Sequence, residues 1–501
     1  MAKKRKSSVA KGNPAKAFED AAAHHQAGRL AKAEKAYRKA ITLNGDFFEA
    51  HVNLGVVLQA QEKLEDAEKS FARAIALNDS LPEIHYALGT VLSDLGRAAD
   101  AGASHQRALE LNPAYVEALN GLAIAEEKQG NAEGAVMTFE RALDLNPGFA
   151  EAQNNLGNLY HRQGRPGDAI AAFRRAIAIN PDYAEAHRNL GQALLLGGNL
   201  ADGWAEYQWR WRCRDFPSEK RAFPYALWTG EDLNGKTLLV WGEQGVGDEV
   251  HFAGQIPDLL DAGANVVLEC EQRLVPIFER SFAGAACVAR KTPPDPATGQ
   301  GIDFHIPSGD LGRWLRPDMD AFPNRGAYLV ADQDRVRELK NQYRDGTKDM
   351  LTGIAWTSKN PEIGADKSLA LPDWQPLASV PGIRFIDLQY GDTAAERTAF
   401  ENQTGITIHR DDAIDQLADL DAFAAQISAM DLVISVSNTT VHFAGALGVP
   451  TWVMLNTVPL SCWMQDREDC PWHPSVRLFR QSEAGQWGDV IDRVKDALQE
   501  L

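Results

Sequence analysis

The sequence lacks any apolar run approaching the roughly 18 residues a membrane-crossing helix needs, so no helical membrane insertion is expected. It has few cysteines. Cys213, Cys270, Cys287, Cys462 and Cys470 are scattered without CxxC spacing, which excludes a disulfide framework or a zinc ribbon and fits a reducing, cytoplasmic setting. Positive charge is also short. The 51 Lys and Arg against 69 Asp and Glu leave a net charge of −18, which excludes nucleic acid or an anionic membrane as the main partner. No HEXXH, GxSxG, P-loop or DxD pattern sits in a fitting context, so neither a metal nor a cofactor is expected. The basic start, Met1-Ala-Lys-Lys-Arg-Lys-Ser-Ser, has no apolar signal-peptide core behind it, and residues 1–14 read as a disordered basic tail.

Tryptophan is absent before Trp204, although the chain contains 12. The Ala-rich stretch before it is periodic. Glu49, Glu83, Glu117, Glu151 and Glu185 are spaced by 34, as are Asn44, Asn78, Asn112, Asn146 and Asn180, and Ala40, Ala74, Ala108, Ala142 and Ala176. A 34-residue period with small residues at fixed places is the tetratricopeptide (TPR) pattern. It predicts about six helix pairs over residues 15–218. Gly55, Gly89, Gly157 and Gly191 would let the two helices of a unit approach closely. Pro113, Pro147 and Pro181 are expected at first helical positions. Asn53, Asn155 and Asn189 share one position on the first helices, where an amide can pair with an extended backbone or simply meet solvent.

After a linker-like stretch, the pattern changes to short apolar runs separated by helical segments. Strands are predicted at 237–241, 265–270, 286–289 and 303–306. A second series follows at 351–356, 383–388, 407–409, 432–436, 451–455 and 476–479. Helices are predicted at 249–260, 333–344, 393–403, 420–430 and 487–500. This gives two Rossmann-like domains, residues 219–335 and 336–501, with a cleft suited to two substrates.

Three stretches carry candidate chemistry. Glu243-Gln244-Gly245-Val246-Gly247-Asp248 is a Gly-rich turn that opens a helix after a strand, without the three-glycine dinucleotide fingerprint. Trp356-Thr357-Ser358-Lys359, then Lys367, follow a strand of the second series, and Gln389 ends another. Asn438-Thr439-Thr440, with His442 behind it, joins a buried strand to a helix. The free N–H groups and dipole there favour phosphate.

The last stretch resembles the donor-binding segment of heptosyltransferase-like (family 9-like) glycosyltransferases. Aligned on His442, that family's Asp falls on Ser437 and its Gly on Thr439. The Asn-Thr-Thr turn also resembles the phosphate-binding turn of O-GlcNAc transferases, and the whole chain is most similar to bacterial TPR-containing glycosyltransferases that modify flagellin. The resemblance implies an all-α TPR solenoid followed by an α/β GT-B region, with the acceptor on the first α/β domain and the donor on the second. Asp248 is implied as general base, with His251 and Glu243 as alternatives, or else as a first-turn helix charge. Lys367 or Lys359 would neutralise the leaving phosphate. Trp356, Ser358, Gln389, Asn438, Thr439, Thr440 and His442 would contact the donor, beside the loop of Gln244, Gly245 and Gly247. Asn53, Asn155 and Asn189 would line a protein-acceptor groove. The implied reaction is transfer of a sugar, such as the nonulosonic acid pseudaminic acid from a CMP donor, to Ser or Thr of flagellin or another protein. A glycolipid or polysaccharide acceptor, and a scaffold without activity, remain alternatives. In twin folds of this type the final helix often crosses back to the first sheet.

Overall fold

The computed structural model describes residues 12–293, 301–360 and 363–501. The basic-tail expectation thus lies almost wholly outside the described residues. At its edge, Asn13 caps the first helix by accepting the Ala15 N–H at 3.0 Å.

Twelve helices follow as six sequential pairs: α1 (Pro14–Gln26) and α2 (Leu30–Leu43), α3 (Phe48–Gln59) and α4 (Leu64–Leu77), α5 (Pro82–Asp94) and α6 (Ala98–Leu111), α7 (Val116–Lys128) and α8 (Ala132–Leu145), α9 (Ala150–Arg162) and α10 (Pro166–Ile179), α11 (Ala184–Leu196) and α12 (Leu200–Tyr207). The contacts explain the period. A Cβ at Gly55 would lie 2.7 Å from the Phe71 ring, one at Gly89 2.6 Å from His105, and one at Gly157 2.6 Å from Phe173. The glycine therefore seats the large ring of the second helix, and the alanines Ala40, Ala74, Ala108, Ala142 and Ala176 are buried completely. Each repeated asparagine ends a helix and folds its side chain onto the backbone. Asn44, Asn78, Asn112, Asn146 and Asn180 accept the N–H two residues on at 3.1–3.2 Å. The following prolines correct the sequence reading. Pro113, Pro147 and Pro181 sit in these turns, before the next helix rather than at its first position, because proline cannot extend the helix just ended.

The described chain divides into two compact units. The first five pairs make up most of one. Tyr183–Leu501, with His161–Ile170, forms the other, so the sixth pair belongs with the α/β elements.

The second unit holds two five-stranded, wholly parallel sheets. The first contains β1 (Ala226–Leu227), β2 (Thr237–Trp241), β3 (Asn265–Cys270), β4 (Ala285–Ala289) and β5 (Phe304–Pro307), in the order β1-β5-β2-β3-β4. The second contains β6 (Met350–Ala355), β7 (Ile383–Asp387), β8 (Leu432–Val436), β9 (Thr451–Leu455) and β10 (Val476–Arg480), in the order β10-β9-β8-β6-β7. The short β1 lies in the stretch read as linker. The run at 407–409 forms only a single bridge, between His409 and Ile386. The strand cores are apolar on both faces, as parallel sheets covered by helices require.

The helices are α13 (Val246–Ala253), α14 (Ile256–Asp261), α15 (Val275–Ser281), α16 (Gly312–Leu315), α17 (Gln333–Arg344), α18 (Gly364–Lys367), α19 (Gln375–Ala378), α20 (Ala394–Thr404), α21 (Leu420–Ser428), α22 (Thr439–Ala446) and α23 (Gly488–Gln499). The single helix expected over 249–260 is split. Gly254 ends α13, and Pro257, which has no N–H to give, lies in the first turn of α14. The final helix does not cross to the first sheet. Val490, Ile491 and Val494 of α23 pack with Leu377, Phe385 and Phe479 on the second, because their apolar stripe is already matched there.

His105 stands where the neighbouring repeats place Phe71, Phe139 and Phe173, and it is 1% exposed with its Nδ1 unpaired. Burial lowers its imidazole from the ordinary value to about 4. The unfolded chain binds a proton below about pH 6.5 and the folded chain only near 4, so stability falls as pH drops through that window. The loss should total about 3 kcal/mol. His105→Phe is expected to abolish this acid loss for the repeat array, measured as the shift in far-UV circular dichroism melting between neutral and mildly acidic buffer.

Candidate functional site

In an open parallel sheet, ligands bind beyond the carboxyl ends of the strands, where the strand order reverses. Both sheets have such a point. In the first it lies between β2 and β5, in the second between β6 and β8.

The first crevice is filled by the protein itself. Arg210, just after α12, is completely buried there. It pairs with Glu243 after β2 (Nη2–Oε1 2.6 Å, Nε–Oε2 3.0 Å) and with Asp310 after β5 (Nη1–Oδ1 2.7 Å). Glu243 also accepts the Gly309 N–H at 2.8 Å. Both oxygens of Glu243 are thus engaged, which removes it as a candidate proton acceptor. The loop beyond is held from the same side. Gln244 adopts a left-handed φ of 62°, donates from Nε2 to the Tyr207 hydroxyl at 3.1 Å, and its N–H is bound by Ser218 at 2.6 Å.

From this loop α13 springs with Gly245 as N-cap. Asp248 Oδ2 accepts the Gly245 N–H at 3.1 Å, so the residue does cap its own helix. It also lines a cavity of about 110 Å³. Its other walls include Gln192, Leu195, Trp204 and Tyr207 of the sixth pair, His251 of α13, His442 of α22, Ser461, Cys462, Met464 and Trp472. Burial pushes the Asp248 carboxyl above its ordinary range, against the opposing pull of the Gly245 N–H and of Lys367. Lys367, at the end of α18, is 6% exposed. Burial lowers its ammonium, while Cys462 and Asp248 oppose that shift. Lys359, the rival lysine, is exposed with its Nζ over the Tyr390 ring at 5.8 Å.

The helices α13 and α22 pack directly on one another. Gly247 lies at this contact, where a Cβ would come within 3.2 Å of Thr439 Oγ1. At the second crevice, Asn438 caps α22 by accepting the Thr440 N–H at 3.0 Å and donates to the Thr357 carbonyl at 3.2 Å. Thr440 is fully buried, its hydroxyl directed at the Leu388 carbonyl at 3.4 Å, which leaves Thr439 as the half-buried threonine of the turn. Ser437, where the resembled family has Asp, accepts the Trp463 indole N–H at 2.9 Å. Gln389 holds the next loop through its Oε1, which accepts the N–H of Trp356 at 3.0 Å and of Thr357 at 2.8 Å. The Trp356 ring is core and its indole bonds Glu396. Ser358 is tied through its N–H to Ser368 at 2.9 Å.

Asp248 and His442 thus line one cavity, and the Lys367 charge acts on both. Gln389, Trp356, Asn438 and Thr440 serve chiefly to shape the loops around them. His442 turns to histidines: its Nδ1 lies 3.5 Å from His473 Nε2, and its ring faces His251. In the first unit, Asn53 donates to the Glu49 carbonyl at 3.0 Å and Asn155 to Asn120 Oδ1 at 3.0 Å. Asn189 is half-buried on α11. Sequence reasoning missed Arg210, Asp310 and His473. Their only signals were the Trp209–Arg214 run, rich in Arg and Trp, and the Pro-Trp-His-Pro stretch ending at Pro474.

Arg210→Met should destabilise the second unit by about 3–5 kcal/mol, because two carboxylates stay buried without their cation. Adding Glu243→Gln should restore part of that loss. Urea unfolding followed by tryptophan fluorescence measures both.

The tetratricopeptide repeat model matches residues 48–80, 82–115 and 150–183, and a TPR repeat model residues 21–61 and 127–164. Protein FlbA of Caulobacter vibrioides is 34% identical over 325 residues, 62% of this chain and 54% of that protein, so the chain spans about half the length of this curated relative. Among solved structures, MamA is 23% identical with a TM-score of 0.32, covering 34% of this chain and 94% of its own. YrrB, described as a TPR protein with an unusual peptide-binding site, is 27% identical with a TM-score of 0.32, covering 35% of this chain and 90% of its own. The repeat matches and the helix pairs beneath them make this chain a tetratricopeptide-repeat protein, continued by two parallel α/β sheets.

Proposed function

We propose that the chain is a glycosyltransferase of GT-B type that moves a sugar from a nucleotide-sugar donor to a Ser or Thr hydroxyl of a protein held by the repeats. The observation that carries this reading is the half-buried Asp248, which lines the cavity together with His442, and the buried Lys367, whose charge acts on it. The resemblance of the Asn438–His442 turn to donor-binding segments supports a nucleotide diphosphate or monophosphate sugar there. The similarity of the whole chain to flagellin-modifying TPR glycosyltransferases supports flagellin as acceptor and a CMP-linked nonulosonic acid as donor.

In this mechanism the acceptor hydroxyl enters the cavity beside Asp248. Its oxygen bonds to the anomeric carbon as the bond from that carbon to the phosphate oxygen breaks. The hydroxyl proton passes to Asp248, which a placed carboxylate can turn into a roughly 10²–10⁴-fold gain. The negative charge left on the nucleotide phosphate is met by the Lys367 ammonium and by the N–H groups opening α22. Burial raises the Asp248 carboxyl, and it is a working base only when ionised. The rate should therefore rise with pH along an acid limb lying above the ordinary aspartate range.

Asp248→Asn should keep donor binding and lower transfer by about 10²-fold or more, with loss of that acid limb. Lys367→Ala should weaken donor binding as well as turnover. Both are read by isothermal titration with the nucleotide sugar and by mass spectrometry of flagellin from cells carrying each variant. Wild-type modification in Asp248→Asn would dismiss the base assignment. Deleting residues 49–150, which removes whole repeat periods, should abolish flagellin modification while leaving nucleotide-sugar binding intact. A glycolipid transferase would lose much less.

A further inference from the structure

His251, His442 and His473 come from three separate segments: α13, α22 and the loop before β10. Each offers a ring nitrogen within 4.8 Å of the others, and among the described residues they are the one such group of three or more His, Cys, Asp or Glu. All three are buried, at 6%, 7% and 1% exposure. Histidines so placed ordinarily satisfy their nitrogens with carbonyls or carboxylates. These do not. The single hydrogen-bond contact of the three rings is the one between His442 Nδ1 and His473 Nε2, at 3.5 Å, beyond ordinary hydrogen-bond length. His251 Nδ1 and His473 Nδ1 are buried with no partner at all.

We propose that these three side chains bind a divalent first-row transition-metal ion, zinc by preference. The three rings each bring a nitrogen within 4.8 Å of the others, at a place where the protein leaves His251 Nδ1 and His473 Nδ1 without a partner. Imidazole suits Zn²⁺, and a metal–nitrogen distance of about 2.0–2.1 Å places tetrahedral ligand atoms roughly 3.4 Å apart. The His442–His473 pair already has that spacing, and the widest separation closes by about 1.4 Å through side-chain rotation. Three protein ligands leave one position open. Two of the three ligands, His251 and His442, also line the cavity beside Asp248. The ion would pin α13 of the first sheet to α22 and the His473 loop of the second. This assignment stands apart from the transferase reading, since it rests on the three rings alone.

The test uses the full chain without an affinity tag, stripped by a chelator and dialysed. Titration with Zn²⁺, followed by elemental analysis after gel filtration, should give one ion per chain, and Co²⁺ should show the intense ligand-field absorption of a tetrahedral nitrogen site. Zn²⁺ should also raise the melting temperature reported by tryptophan fluorescence. His473→Gln should weaken Zn²⁺ binding by about 100-fold or more, and His251→Gln with His442→Gln should remove it. A stripped chain that takes up no Zn²⁺ or Co²⁺ overturns the proposal. So does equal uptake by wild type and by the variants, which would place the ion on the surface. If a variant fails to fold, the stoichiometry and Co²⁺ spectrum of the wild-type chain decide by themselves.

Discussion

The buried charge group of Arg210, Glu243 and Asp310 is the constraint on which the second unit depends. A guanidinium removed from water is tolerable only with its charge matched and its fork of N–H groups engaged. Here two carboxylates, after β2 and after β5, do both. The outcome is that a crevice open to ligands in most parallel sheets is closed by a residue of the repeat region. The Gly-rich loop carrying Asp248 then has its shape set from two sides, by the sheet beneath it and by Tyr207 and Arg210 above.

The same economy appears where the sheets meet. Two helices, each starting at the carboxyl end of a central strand, lie against one another with Gly247 at the contact. Their N-termini and the side chains of their first turns therefore converge. Asp248 and His251 come from one helix, Thr439 and His442 from the other. The walls are added by the sixth pair: Trp204 donates to the Arg316 carbonyl at 3.0 Å and lies over Gly312, where a Cβ would come within 2.4 Å of its ring. A repeat that closes the array also closes the cavity.

What was legible in the sequence follows from how local each interaction is. The 34-residue period could be read because every unit repeats the same short-range contacts, glycine against ring and asparagine onto the next turn. The strands β2, β3, β8 and β9 stood out as continuous apolar runs, the mark of strands buried on both faces. Side-chain assignments fared less well. Gln389 and Thr440 occupy loops where a ligand would be gripped, yet their polar atoms are taken by backbone groups far off in the chain. Glu243 was invisible as a structural ion because its partner lies 33 residues earlier. His473 stood in a Pro-Trp-His-Pro stretch that named no partner for it. It takes meaning only from two rings that the fold brings to it.

The tryptophans, confined to the stretch from Trp204 onward, make the molecule spectroscopically lopsided. Trp241, Trp356, Trp374 and Trp463 are sealed in the α/β cores, so their emission answers to the second unit, while the first five helix pairs contribute no indole. Helical ellipticity, in contrast, comes from both. A chain built in this way carries its own internal reporter: wherever the two signals part company during unfolding, the units have come undone separately.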